Sequence, residues 1–210
     1  MKLIVFGASG MIGNRIVNEA LAREHQVTAV VRDLAKIAIT HPNLTVVKGD
    51  AHDADHVAQL VAGHDAVVVS VIDRSDPETP PRAAHAVIAG LKRAGLKRVV
   101  IVGGAASLEV APGVRLLDNP EFPAPYKPEA AAMAEVLAIY RAENDLDWTY
   151  ISPSMSIEPG ERTGKFRLGG DQLLTDAQGN SAISTEDFAL ALIDEVEHPR
   201  HLRQRFTVGY

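Results

Sequence analysis

The chain has no cysteine, which excludes disulfide frameworks, thiolate metal sites and cysteine nucleophiles together. No apolar run approaches the length of a membrane span. The N-terminus, MKLIVFGASG, carries a short apolar run that leads into glycines with no small-residue cleavage site. It does not read as a secretion signal, and a cytoplasmic protein is expected. A basic excess is missing too: the formal net charge is −6, whereas a nucleic-acid surface wants a basic face. Neither nucleic acid nor a membrane is therefore expected as a partner. Internal repeats, low-complexity tracts and a domain-separating linker are also absent. What remains is 210 residues with 46% hydrophobic side chains, enough for one domain with a real core.

Within that length, apolar and amphipathic runs alternate. Lys2–Gly7, Gln26–Arg32, Leu44–Asp50, Asp65–Ile72 and Lys97–Gly104 read as strands, nearly all apolar. The stretch MIGNRIVNEALARE between the first two has apolar residues at helical spacing. Asp33 is placed to cap a short helix through about Ala38. Helices are predicted over Asp53–Gly63 and over Glu78–Gly95, the latter with prolines at its start and glycine at its end. Residues 104–125 read as a long loop with four prolines, residues 128–144 as an alanine-rich helix and Asp147–Ser152 as a sixth strand. Turns and a hairpin are expected over 153–183, which is rich in glycine. A helix then begins at Ser184, with Asp187 at capping-box spacing, and RQRFTVGY is a last strand. Strands buried on both faces and joined by helices imply an α/β fold: a single-domain Rossmann fold over 1–210, its sheet doubly wound and mainly parallel. Residues 153–183 would form a small irregular insertion on the substrate side.

The first strand runs into Gly7-Ala8-Ser9-Gly10-Met11-Ile12-Gly13. In a dinucleotide fingerprint the first glycine makes a tight turn, the second lets backbone approach the pyrophosphate, and the third lets the helix pack close. N–H groups at the helix start face the phosphates. The second strand ends in Val31-Arg32-Asp33. Arg32 comes first and suits a 2′-phosphate, with Arg15 placed to help, which favours NADPH over NADH.

GASGMIGNRIV, VVRD, KGD and VVSV resemble the atypical short-chain dehydrogenase/reductases of the NmrA-like and biliverdin reductase B/flavin reductase type. LDWTYISPS, PGERTGKFRLGGDQLL and the segment from Ile183 to Tyr210 resemble bacterial NAD(P)H-flavin reductases. The resemblance covers essentially the whole chain. It implies that Gly7, Ser9, Gly10, Met11 and Ile12 line the pyrophosphate and ribose, that Arg32 meets the adenosine phosphate or ribose, and that Asp50 lies by the adenine. Ser70 and Val71 would run along the cofactor. Gly103, Gly104 and Ser107 would lie near the nicotinamide, and Pro153 and Ser154, after the sixth strand, would touch the nicotinamide side.

One feature of the wider superfamily is missing. Tyr126 stands where a tyrosine acid is common, but four residues on is Ala130, not lysine. Lys127 is adjacent, and positions i and i+1 do not share a helix face. Pro128 is expected to make Lys127 extended. Ketone reduction without such a pair is disfavoured, because it needs a proton donor of lowered pKa. A flavin, quinone or linear tetrapyrrole is a conjugated acceptor that takes hydride without a strong acid. The expected function is therefore an NAD(P)H-dependent oxidoreductase acting on such an acceptor, with NADP(H) preferred, NAD(H) possible, and Ser107 or Tyr126 donating a hydrogen bond. The alternative is an NmrA-like redox sensor that binds dinucleotide with little or no catalysis. A sugar-nucleotide epimerase is disfavoured by the missing pair and by the short chain beyond the sixth strand. His52 and His56 stand four apart with no third ligand apparent, so no metal is expected. No nucleophile-elbow motif supports serine hydrolysis. Arg162, Lys165 and Arg167 read either as an anion clamp or as a solvated hairpin face. Monomer and homodimer are both compatible with the pattern.

Overall fold

The computed structural model describes residues 1–73 and 75–210. Its order is β1 (Lys2–Phe6), α1 (Met11–Ala22), β2 (Gln26–Val31), β3 (Leu44–Lys48), α2 (Ala54–Val61), β4 (Ala66–Val69), α3 (Thr79–Ala94) and β5 (Arg98–Val102). There follow β6 (Glu109–Ala111), β7 (Val114–Arg115), α4 (Lys127–Arg141), β8 (Asp147–Ser152), β9 (Ser156–Glu158), β10 (Arg167–Gly169), β11 (Ala182–Ser184), α5 (Thr185–Glu197) and β12 (Gln204–Gly209).

Eight strands make one sheet in the order β10-β12-β8-β5-β4-β1-β2-β3. All neighbours are parallel except β10, which runs antiparallel to β12. The continuous apolar strands follow from this layout, since both sheet faces are covered. In β1, Leu3 and Val5 point to a core with Ile16, Val17, Phe188 and Leu192 of α1 and α5. Ile4 and Phe6 point to the other core, with Val57, Val87, Leu91 and Val136 of α2, α3 and α4. Chain order reverses between β1 and β4, and in such sheets ligands bind outside the carboxyl ends of the strands at that point.

Local signals act as expected in several places. Pro80 and Pro81 open α3, and Gly95 closes it with φ 71°. Asp33 accepts from Ala35 N at 3.1 Å, but it caps only a 3-10 turn, Leu34–Lys36. Ser184 Oγ accepts from Asp187 N at 3.0 Å. The return bond of that capping box is indirect: Ser184 N donates to the Tyr210 hydroxyl, which lies 2.8 Å from Asp187 Oδ2. An aspartate is one methylene short of the usual glutamate, and the tyrosine hydroxyl spans the gap.

Four expectations need correction. The fourth strand stops at Val69, because Ser70 and Val71 pack against the glycine loop. Residues 104–125 are no plain loop: β6 and β7 form a hairpin, and two 3-10 turns follow. Leu108 is wholly buried there. No hairpin closes within 153–183; β9 pairs with β11 in parallel, and β10 joins the edge of the main sheet. Finally, Lys127 is helical, with φ −56° and ψ −43°. Pro128 disfavours that conformation in the preceding residue, but it also suits the first turn of α4, and here the helix start prevails.

Candidate dinucleotide site

Gly7 leaves β1 at φ +78°, and a Cβ built on it would lie 2.1 Å from the Ser70 carbonyl oxygen. Only glycine fits that turn. Its carbonyl accepts from Gly10 N at 3.0 Å. A Cβ on Gly13 would lie 2.2 Å from the same carbonyl oxygen, so α1 rests directly on the loop backbone. Gly10 is the N-cap of α1 but has no side chain to cap it, and the first turn holds no acidic residue. Its leading N–H groups therefore lack intrahelical acceptors. Ser9, Gly10 and Met11 are exposed, Gly7 and Ile12 half-buried. Close backbone, unpaired N–H groups and a positive dipole end are the features with which such a loop holds a pyrophosphate.

Beyond β2 lies an open cleft of about 810 Å³ lined by Arg32, His52, Asp73, Thr79, Arg82 and His85. Arg32 is exposed, and among the described residues no ion pair holds it. Arg82, in contrast, is paired with Asp76. Asp50 is exposed and accepts from His52 N at 3.0 Å and from the His52 ring. Burial pushes the Asp50 carboxyl up. The His52 hydrogen bonds, aided by the His52 and Arg32 charges, outweigh that and leave its pKa lowered. His52 Nε2 lies 3.1 Å from the Thr79 carbonyl oxygen, so its ring bridges the end of β3 and the start of α3. His56 lies on α2, and among the described residues no group of three His, Asp or Glu side chains can hold a metal ion. Arg15 is turned away to α5, where its Nε meets Glu186 Oε1 at 3.1 Å.

At the other end, Tyr150 organises the loop after β5. A Cβ on Gly103 would strike the Tyr150 ring at 2.1 Å. Gly104 N donates to the Tyr150 hydroxyl at 3.0 Å, and that hydroxyl donates to the Met133 carbonyl oxygen at 2.8 Å. Complete burial pushes the Tyr150 pKa up, so the hydroxyl stays a neutral pin. Ser107 is buried and accepts from Arg205 NH1 at 3.2 Å. Ser70 and Val71 are half-buried beside the glycine loop. Pro153 and Ser154 are buried, and Ser154 Oγ donates to the Val208 carbonyl oxygen at 3.1 Å, so its side chain serves β12. Tyr126 is exposed and ends the turn before α4.

Arg162, Lys165 and Arg167 are all exposed and lie on no hairpin, and the two arginines are engaged within the protein. Arg162 is bidentate to Glu19 of α1, at 2.8 and 2.9 Å. Arg167 donates to the carbonyl oxygens of Thr175 and Tyr210. Both arginines tie the 153–183 segment to the rest of the chain. Sequence reasoning missed Tyr150, Arg205, Asp171 and the His52–Thr79 link. Arg205 did carry a signal: it is a charge inside the short run RFTVG, all of which is buried.

Comparison with known proteins agrees with this geometry. The chain is 39% identical over 212 residues to the uncharacterized protein YwnB of Bacillus subtilis (strain 168), covering 99% of this chain and 98% of that one. A Bacteroides thetaiotaomicron structure provisionally named an epimerase is 44% identical, with a TM-score of 0.95 over 100% of this chain and 96% of that one. A Streptococcus pneumoniae TIGR4 structure provisionally named an NADH-flavin reductase is 35% identical, with a TM-score of 0.86 over 100% of this chain and 99% of that one. A family model described as NAD(P)H-binding matches residues 7–199. The chain belongs to the NAD(P)H-binding family, with a Rossmann-like, mainly parallel sheet.

Proposed function

We propose that the protein is an NAD(P)H-dependent reductase that passes hydride to a conjugated acceptor such as a flavin or quinone, with NADP(H) preferred. The observation that carries this reading is the make-up of the sheet's carboxyl edge. Topology brings the glycine cradle there together with Met11, Ile72, Tyr126 and Met155, each between 43% and 57% exposed. Large apolar side chains left in water beside a nucleotide cradle suit a flat, apolar ring. Gly7, Ser9, Gly10, Met11, Ile12 and Gly13 hold the pyrophosphate and ribose, and Arg32 reads the 2′-phosphate. Asp50, Ser70 and Val71 border the adenosine half. Gly103, Gly104, Pro153 and the Ser154 backbone border the nicotinamide half, and 153–183 walls the acceptor. When bound, the reduced nicotinamide supplies the hydride. The protein aligns the two rings and excludes water, and Ser107 or Tyr126 donates a hydrogen bond to the acceptor.

The name of the Bacteroides relative does not move this reading toward an epimerase. Lys127 follows Tyr126 directly, and α4 begins at Lys127 itself, so the two side chains do not stack one turn apart. The test is NADPH oxidation followed at the nicotinamide absorbance, with FMN, a simple quinone and biliverdin as separate acceptors, beside NADPH and NADH titrations. Turnover with at least one acceptor and tighter binding of NADPH is expected. Tight binding with no turnover on any of them overturns the reading and leaves an NmrA-like sensor in its place.

A further inference from the structure

Ser107, Arg205, Asp171 and Arg141 come from four separate parts of the chain and meet at one place. Ser107 follows β5 and is 8% exposed. Arg205 lies in β12, level with Tyr150 of β8, and its side chain is 2% exposed. Its NH1 donates to Ser107 Oγ at 3.2 Å. Its Nε donates to Asp171 Oδ1 at 2.7 Å, and its NH2 reaches the same oxygen. Arg141 NH2, from the last turn of α4, donates to Asp171 Oδ1 at 3.0 Å. Asp171 is also anchored through its backbone, because its carbonyl oxygen accepts from Glu109 N at 2.8 Å.

We propose that Arg205, held by Asp171, is a positioning residue that aims the Ser107 hydroxyl at the acceptor and strengthens it as a donor. This inference rests on the reductase reading. A hydroxyl oxygen that accepts from a guanidinium cannot turn its proton toward that cation. Among the described residues no acceptor takes the Ser107 proton. It is left free of a protein acceptor on a residue that follows β5, whose carboxyl end the reductase reading gives to the nicotinamide. In the reaction a hydride, with its two electrons, leaves the dihydronicotinamide for the acceptor. Negative charge then gathers on an acceptor oxygen or nitrogen until water delivers a proton there. Ser107 is not consumed; its O–H holds that charge, and a cation behind the hydroxyl makes the bond stronger. Tyr126 gains no such support, being half in solvent with no cation bonded to its hydroxyl among the described residues.

Asp171 is half-exposed and is already paired with Arg141. Burying a guanidinium is costly, and an apolar side chain of similar length often does as well or better for stability. Arg205→Met therefore leaves no stranded carboxylate.

The experiment compares the wild type, Ser107→Ala, Arg205→Met and the double variant, using whichever acceptor supports wild-type turnover. Arg205→Met is expected to lower kcat about tenfold with little change in the KM for NADPH, and Ser107→Ala to lower it at least as far. In the Ser107→Ala background, Arg205→Met should cost less than about twofold, because its route to the acceptor is gone. FMN titrated into NADP-loaded protein, followed by quenching of flavin fluorescence, should bind about three- to tenfold more weakly in either single variant and no more weakly still in the double. Arg205→Lys, which keeps the charge, should recover part of the loss. If Arg205→Met does not fold, Arg205→Lys and Asp171→Asn are read in both backgrounds instead. Equal losses with and without Ser107, or no loss at all, overturn the inference while wild-type turnover keeps the reductase reading intact. A wild type inactive on every acceptor removes that reading first.

Discussion

Replacing Gly10 with alanine adds one methyl group where the protein itself leaves almost enough room for it. Gly10 sits at φ −71° and ψ 166°, which alanine adopts freely. Its Cβ would lie 3.3 Å from the Gly7 carbonyl oxygen, so the loop needs to give by only a few tenths of an ångström. Alanine narrows the unfolded ensemble, a gain of about 0.4–1 kcal/mol. It is a poorer N-cap than glycine, a loss of roughly 0.5–1 kcal/mol. The two nearly cancel, and Tm should stay within about 4 °C of the wild type. The ligand has no such latitude. If the pyrophosphate lies against this backbone, a methyl group holds it off and removes at least one charge-assisted hydrogen bond from the first N–H groups of α1. Such a bond contributes about 1.5–3 kcal/mol, which is roughly 10- to 150-fold in Kd. Titration of NADPH by its fluorescence, beside calorimetric unfolding, reads both quantities. A Kd within twofold of the wild type at unchanged Tm would refute the placement of the pyrophosphate. Gly13→Ala is the contrasting case: a Cβ at 2.2 Å from the Gly7 carbonyl oxygen forces α1 off the loop, so stability falls by about 1–3 kcal/mol and binding falls with it.

Arg32→Ala should raise the KM for NADPH about tenfold or more while leaving that for NADH nearly unchanged, because the side chain is exposed and is in no ion pair among the described residues; equal effects on both cofactors would show that Arg32 does not read the 2′-phosphate. Tyr150→Phe leaves Gly104 N and the Met133 carbonyl oxygen without their shared partner, a loss of about 1–3 kcal/mol and roughly 2–4 °C in Tm for each kcal/mol, measurable by calorimetry. The Glu19 carboxyl is lowered from its ordinary 4.5, first by the Arg162 hydrogen bonds, against burial, and then by Arg23. Its contribution is therefore complete above about pH 4.5 and is lost as pH falls through the lowered folded-state value. Tm measured from pH 7 down to pH 3 should drop on that acid limb, and Glu19→Gln should flatten the limb; an unchanged limb would mean that other carboxylates set it.

Which parts of the molecule were legible in the sequence follows from the range of the interactions that build them. The five leading strands and their helices each carry their own signal. A strand such as Ala66–Val69 is apolar on both faces, and α3 announces its start with prolines and its end with Gly95. The glycine loop was legible for the same reason, since each of its three glycines answers to a contact within the loop or with the neighbouring strand end. The segment from Pro153 to Ser184 was not. β10 has three residues, a polar and glycine-rich neighbourhood, and a partner more than thirty-five positions away, and it pairs through backbone groups that no side-chain pattern records. The partners of the exposed arginines in that segment belong to the same class. Arg162 finds Glu19 143 residues away, and nothing near either residue marks the other.

The long-range contacts also bear on why a site without a tyrosine–lysine pair holds its shape. In that pair the lysine is local, one helical turn from the tyrosine, and its charge acts from the same element. Here the cation hydrogen-bonded to a candidate donor is Arg205, 98 positions from Ser107, brought in by the last strand of the chain. β12, between β10 and β8, therefore does more than close the core: through Arg205 it carries positive charge to the loop after β5, and Tyr210, just beyond it, ties down the start of α5. A donor supported in this way depends on the register between β8 and β12, where Arg205 stands beside Tyr150. A one-residue slip of that strand would turn Arg205 to the α1–α5 face and Phe206 to the other, exchanging the charge for a ring. Register in β12 thus sets packing on one face of the sheet and the electrostatics of the loop on the other.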